Sequence, residues 1–135
     1  MSKIIVNHKV ISSQEKSLLT DKIGLTKDNL IHYHDDDVYV LVKILKGKVL
    51  LTRENNEFKI SLNFDKNKAS VTEYVIKNLG KTLELKTITK ELIIKDNYVH
   101  VSYDLFINGS FSDSFIYELE WRCLQWALQM TLKIK

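Results

Sequence analysis

The densest group of chemistry-bearing side chains is His32-Tyr33-His34-Asp35-Asp36-Asp37. Side chains alternate between the two faces of an extended strand. His32 and His34 would therefore share a side, where two imidazoles could hold one metal ion with an aspartate as third ligand. The plainer reading is a strand end running into an acidic, solvated turn, and no second His-rich or Cys-rich segment supports a metal. Arg53 shares a strand face with Val49 and Leu51. If that face is inward, its guanidinium lies in or near the domain interior, where it could bind a ligand carboxylate. Otherwise its stem packs while its head reaches water. His8 is in phase with Ile4, Val6 and Val10, and is expected to face inward with a structural hydrogen bond to an interior tyrosine. His100 alternates with Val99 and Val101 and is expected to face outward. Cys123 has no nucleophile motif around it and reads as a buried thiol. Glu118 and Glu120 fall on the polar side of a strand, as a solvated face rather than an acid/base pair. No glycine-rich phosphate loop, Ser-His-Asp arrangement or dinucleotide fingerprint is present. The expectation is a protein that is not an enzyme and needs no cofactor.

The elements that must position these residues read as strands. Val, Ile and Thr supply 32 residues and the aromatics 13, whereas alanine occurs twice and proline not at all. That is a strand-former's composition. Short apolar runs are separated by turn residues at Lys46-Gly47-Lys48, Asn55-Asn56, Asp65 to Lys68, Lys77 to Gly80 and Asp96-Asn97. The clearest run alternates Phe58, Ile60, Leu62 and Phe64 with Lys59, Ser61 and Asn63. From Lys81 to Lys95 the apolar phase changes from odd (Leu83, Leu85) to even (Ile88, Leu92, Ile94), which predicts a bulge or bend near Thr87. A second phase change falls at Cys123-Leu124, before a further alternating run to Ile134. The four glycines are expected at or beside strand connections, with none inside a strand. In the hairpin from Tyr98 to Trp121, matching the apolar faces predicts a three-residue Ile107-Asn108-Gly109 loop. That register pairs Leu105 with Phe111, Val101 with Phe115 and Val99 with Tyr117.

Roughly nine or ten antiparallel strands joined by short turns imply a sandwich or a barrel, and bent strands in consecutive hairpins favour a meandering barrel. A chain of 135 residues suits a single domain spanning 1–135. Net charge is +3 with the signs interleaved, and only Arg53 and Arg122 are arginines. Neither feature suits nucleic-acid binding. One cysteine cannot form an internal disulfide, no apolar run approaches the ~18 residues of a membrane helix, and the N-terminus lacks a signal-peptide pattern. The expected setting is cytoplasmic, away from membranes.

An ordered set of short features resembles the YwiB-like family of uncharacterised bacterial proteins. The features are Tyr33 with Asp35, the hairpin Val38 to Arg53 ending in Leu51-Thr52-Arg53, Gly80 in a turn, and Tyr103-Asp104-Leu105-Phe106-Ile107-Asn108-Gly109. The last is the most specific, and none is a catalytic signature. Where the family tends to have Thr-Pro before the glycine, this chain has Lys77-Asn78-Leu79. The resemblance implies an all-β fold, an antiparallel meander closing into a calycin-like (lipocalin-like) barrel of about eight to ten strands. It implies architecture and little chemistry.

The functional expectation is a barrel that takes a small apolar or amphipathic ligand, with Arg53 and Tyr33 as ligand contacts and Tyr103 as cavity lining. Trp121, Trp126, Tyr74 and Tyr117 could line a cavity or simply fill the core. The alternative is a filled barrel acting as a protein-interaction module, as a homodimer for instance, through an exposed face or edge strand at Leu124 to Ile134. Sequence leaves open whether the barrel is hollow.

Overall fold

A computed structural model describes residues 1–124 of the chain. Ten strands run in sequence order: β1 (Ser2–Ser12), β2 (Lys16–Lys27), β3 (Leu30–Asp35), β4 (Val38–Leu45), β5 (Lys48–Glu54), β6 (Phe58–Asp65), β7 (Ala69–Ile76), β8 (Lys81–Lys95), β9 (Tyr98–Ile107) and β10 (Ser110–Cys123). One 3-10 turn, Lys77–Leu79, lies between β7 and β8. Every neighbour pairs antiparallel, and β1 joins both β2 and β10, so the meander closes into a barrel. The all-β expectation and the strand count both hold. The segment Leu124 to Ile134, proposed from sequence as an interaction surface, lies outside the described residues except for Leu124 itself, and Trp126 lies outside them too.

Alternation along each strand explains the core. Inward positions carry the fully buried Val6, Val40, Val42, Val49, Val99 and Val101. Burying each such side chain is worth about 1.5–3 kcal/mol. Larger groups, among them Ile31, Phe64 and Leu119, complete the packing at the barrel end that carries the Gly47 and Asn97 turns. The turns themselves use left-handed residues. Asp28, Asp36, Asn67 and Asn97 all take positive φ between consecutive strands. Their side chains tolerate that region better than most. Asn55 works differently: its φ is not positive, and its Oδ1 accepts from the backbone N–H groups of Glu57 and Phe58.

Four expectations about local geometry need correction. First, the β9–β10 hairpin closes with the two-residue Asn108-Gly109 turn, φ 49° and 83°, pairing Ile107 with Ser110. The face mismatch this creates is repaired by a bulge between Phe111 and Asp113. Phe115 then faces Tyr103, Tyr117 faces Val101 and Leu119 faces Val99. A two-residue turn with both φ positive matches strand twist, so the extra residue goes into the strand instead of the loop. Second, the phase change in β8 falls between Thr89 and Glu91 rather than near Thr87. Thr87 and Thr89 are buried, and Thr87 Oγ1 donates to the Asn63 carbonyl at 2.7 Å. Two inward threonines thus mask the apolar phase. Third, Gly24 lies inside β2. A Cβ there would stand 2.6 Å from the His32 carbonyl oxygen and 2.9 Å from Val6 Cγ2. Only glycine lets β2 approach this closely. Fourth, Cys123 is exposed at the end of β10, because the burial pattern of that strand fades after Glu120.

The barrel is not evenly laddered. β6 and β7 pair only from Phe58/Ile76 to Ile60/Tyr74. Beyond that the two strands diverge, and Thr72 Oγ1 bridges to the Ser61 carbonyl in place of a backbone bond. A closed barrel of ten strands is also wider than the eight-stranded type whose interior side chains just fill. The divergence runs toward the Asp65–Ala69 connection, whereas the extra width leaves room inside the opposite end, where β6 and β7 remain paired.

Candidate functional site

That room is a cavity of about 340 Å³, open to solvent. It lies at the barrel end that carries the β1–β2, β3–β4 and β5–β6 connections. Its walls are mostly apolar, with Leu51, Ile60, Leu62, Leu85, Leu105 and Phe115 contributing from β5, β6, β8, β9 and β10. The volume is at the small end for ligand sites, and corresponds to roughly ten water molecules. Glu15 and Ser17 reach it from the start of β2 and the turn before it.

Arg53 is inward, as its phase with Val49 and Leu51 implies, and it lines the cavity. It does not stand there as a free cation. Its Nη2 donates to Asp35 Oδ2 at 3.1 Å, from β5 across β4 to the end of β3. The same carboxylate oxygen lies 3.8 Å from His8 Nε2. His8 is 4% exposed, and its other ring nitrogen, Nδ1, is 2.7 Å from the Tyr33 hydroxyl. Tyr33 in turn is 2.8 Å from the Tyr117 hydroxyl. Five residues from four strands thus form one polar chain: Arg53, Asp35, His8, Tyr33 and Tyr117.

Burial sets the protonation states along it. Desolvation lowers the His8 pKa below its ordinary value of 6.5, outweighing the upward pull of Asp35, while Arg53 pushes it further down. At neutral pH the ring is uncharged. Desolvation also raises Tyr33, Tyr103 and Tyr117 well above the usual tyrosine range, so all three keep their protons.

Tyr103, expected as cavity lining, takes that place. Its ring lies between Phe64, at a centroid distance of 4.6 Å, and Phe115, stacked at 5.4 Å. Tyr74 and Tyr117 line the cavity as well, whereas Trp121 packs half-buried at the opposite end. Tyr33 sits one step behind the wall, holding His8 and Tyr117. Sequence reasoning placed His8 against an interior tyrosine, which the structure bears out. It did not join Asp35 to Arg53, because the residues are 18 apart and meet only through the barrel's register.

His32 and His34 share the outer face of β3, and both rings approach Tyr39, with centroids at 5.8 and 5.4 Å. Nδ1 of His32 is taken by the Tyr39 hydroxyl. Among the described residues no three His, Cys, Asp or Glu side chains gather at metal-binding distance. On the outer wall His100 pairs with Glu91 at 2.8 Å and with Glu118 at 3.3 Å. The Tyr98 hydroxyl also donates to Glu118, and its pKa is pushed up to about 12, chiefly by that bond. No described helix is long and apolar enough to cross a membrane.

Comparison with curated proteins gives no match. Among solved structures, the ywiB protein from Bacillus subtilis is similar, with 19% identity and a TM-score of 0.54 over 87% of this chain and 89% of that one. This likeness establishes a shared barrel fold. A family model described as a domain of unknown function, DUF1934, matches residues 12–119, and the chain belongs to that family.

Proposed function

We propose that this barrel binds a small amphipathic molecule in its interior and performs no chemistry on it. The observation that carries the reading is the cavity itself: about 340 Å³ of mostly apolar space with its polar groups collected at Arg53, Asp35 and His8. An apolar wall with a few convergent polar groups is the usual form of a small-molecule site. The ligand's apolar body would lie against Leu62, Leu85 and Phe115, with its polar end toward Arg53. Tyr103 would present a flat wall to it. Among the described residues the closed barrel leaves no free edge strand for partner recruitment, and a hollow interior favours cargo over a purely structural core.

Native mass spectrometry of the purified protein, followed by solvent extraction, tests the reading. The expected result is a bound small molecule that is lost in an Ile60→Trp variant, whose indole would occupy the cavity. A protein that carries nothing, and that acquires nothing when incubated with small amphipaths, would sink it.

A further inference from the structure

The polar chain behind the cavity wall has a direction, and Asp35 sets it. A neutral histidine carries one ring proton. The carboxylate of Asp35 lies on the Nε2 side of His8, at 3.8 Å. That is long for a hydrogen bond, but its charge favours a proton on Nε2. Nδ1 is then an acceptor, and the Tyr33 hydroxyl donates to it across 2.7 Å. With its own proton committed, Tyr33 can only accept from Tyr117, 2.8 Å away. Tyr117 lines the cavity and Tyr33 does not. The end of the chain that meets the cavity is therefore an oxygen whose proton is already used, so it offers lone pairs.

The charged groups around the cavity point the same way. Among the described residues lining it, Arg53 is the one cation, and Asp35 already takes one of its donors. Glu15 adds a second carboxylate at the rim. A ligand's polar end thus meets acceptors (Tyr117 and Asp35) and donors (His8 Nε2–H and the remaining guanidinium N–H groups). The Tyr103 hydroxyl can do either. A hydroxyl group both donates and accepts, and can use both sets. A carboxylate only accepts, leaves the Tyr117 oxygen facing another acceptor, and meets two like charges. An ammonium only donates: it suits Asp35 and Glu15, but it meets the like charge of Arg53 and leaves the His8 Nε2–H and guanidinium donors without an acceptor. Unpaired buried polar groups and like-charge contacts are the costly outcomes.

We infer that the ligand is an uncharged amphipath with a hydroxyl-type polar end, and that Asp35 is the residue selecting it over a carboxylate. This rests on the ligand-binding reading above and names the class of ligand. The test is calorimetric titration near neutral pH with three matched probes: octanol, octanoate and octylamine. Each has about ten non-hydrogen atoms, which suits a space of roughly ten waters. Octanol is expected to bind about tenfold or more tighter than either charged probe, the size expected for losing one buried hydrogen bond. Octanoate or octylamine binding as tightly as octanol would overturn the inference while leaving a ligand-binding barrel. Failure of all three to bind would overturn both readings.

Two further measurements separate selection from mere size. In the wild-type protein, nitrogen NMR of His8 must show Nδ1 unprotonated and Nε2 protonated; the opposite tautomer would overturn the chain's direction. In Asp35→Asn, which removes the charge holding the Nε2 proton and releases Arg53, octanoate is expected to gain on octanol by about tenfold. An unchanged ratio in a folded variant would overturn the role of Asp35.

Discussion

The two ends of this barrel are built by the same strands and have opposite characters. Toward the Gly47 and Asn97 turns, the inward positions are short and branched, and Val6, Val42, Val49 and Val99 pack with Ile31 and Phe64 to complete burial. Toward the Asp36 and Asn108 turns, the same faces carry Asp35, Arg53, Ile60, Tyr74 and Leu105, and a cavity remains. Interiors pack to near-crystalline density when side-chain volumes match the space available. Here small residues fill one end, and larger, partly polar ones fail to fill the other. The difference lies in what alternates inward as each strand passes the middle of the barrel. Core and site are therefore consecutive inward positions on shared strands, such as Val49, Leu51 and Arg53.

The contrast can be broken by truncation. Phe64→Ala at the packed end should cost about 3–5 kcal/mol, because a fully buried ring leaves a void its neighbours cannot close. Ile60→Ala, half-buried against an existing cavity, should cost about 1–2 kcal/mol, since little new void is made. Urea denaturation compares them, and equal losses would mean the two ends are packed alike.

Gly24 sharpens the same contrast from the backbone side. Its contacts with the His32 carbonyl and Val6 bring β2, β1 and β3 close at the packed end. Gly24→Ala should destabilise by about 1–3 kcal/mol through overpacking. Gly47→Ala meets no neighbour within 4 Å and carries only the strain of its positive φ, about 1–2 kcal/mol. A Gly24→Ala protein as stable as the wild type would show that the close approach is not a constraint.

The smallest expected effect is a pH dependence belonging to the cavity end. The folded protein holds His8 neutral below its ordinary value of 6.5, whereas the unfolded chain takes up a proton there. The unfolded state then binds more protons, so the stability from this group is complete above pH 6.5 and is lost as pH falls toward the lower folded value. Among the described residues, Asp35, Arg53, Glu15, Tyr33, Tyr74, Tyr103 and Tyr117 are ionisable groups around the ring or its cavity. The lowered carboxylates Glu54, Asp104, Asp113 and Glu118 begin to act only nearer their ordinary values of 4.5, 3.8, 3.8 and 4.5. Urea midpoints across the pH range should fall below 6.5 in the wild type and stay flat there in His8→Gln. A matching decline in the variant would assign the effect elsewhere.

Much of the frame was legible because alternation and turn chemistry are local. Phe58 to Phe64 declared its inward face, and Arg53 declared its direction through Val49 and Leu51. The misses share a physical cause. Thr87 and Thr89 are inward but polar, so hydrophobicity alone misplaced the bulge in β8. The bulge after Phe111 restores a phase that the turn had shifted, and two compensating offsets look like none in the sequence. The site was half legible for a similar reason. Which residues point inward follows from a strand's own pattern, but that Arg53 meets Asp35, and Asp35 meets His8, depends on the stagger between strands as the barrel closes. The need for glycine at position 24 likewise comes from a neighbouring strand.

The claim that one end is a binding chamber and the other a solid core is tested most directly by methyl NMR during titration with octanol. The account predicts shifts at Leu51, Leu62, Leu85 and Leu105, with Val6, Val42, Val49 and Val99 unmoved. Shifts at the valines of the packed end, or none anywhere at saturating probe, would contradict it.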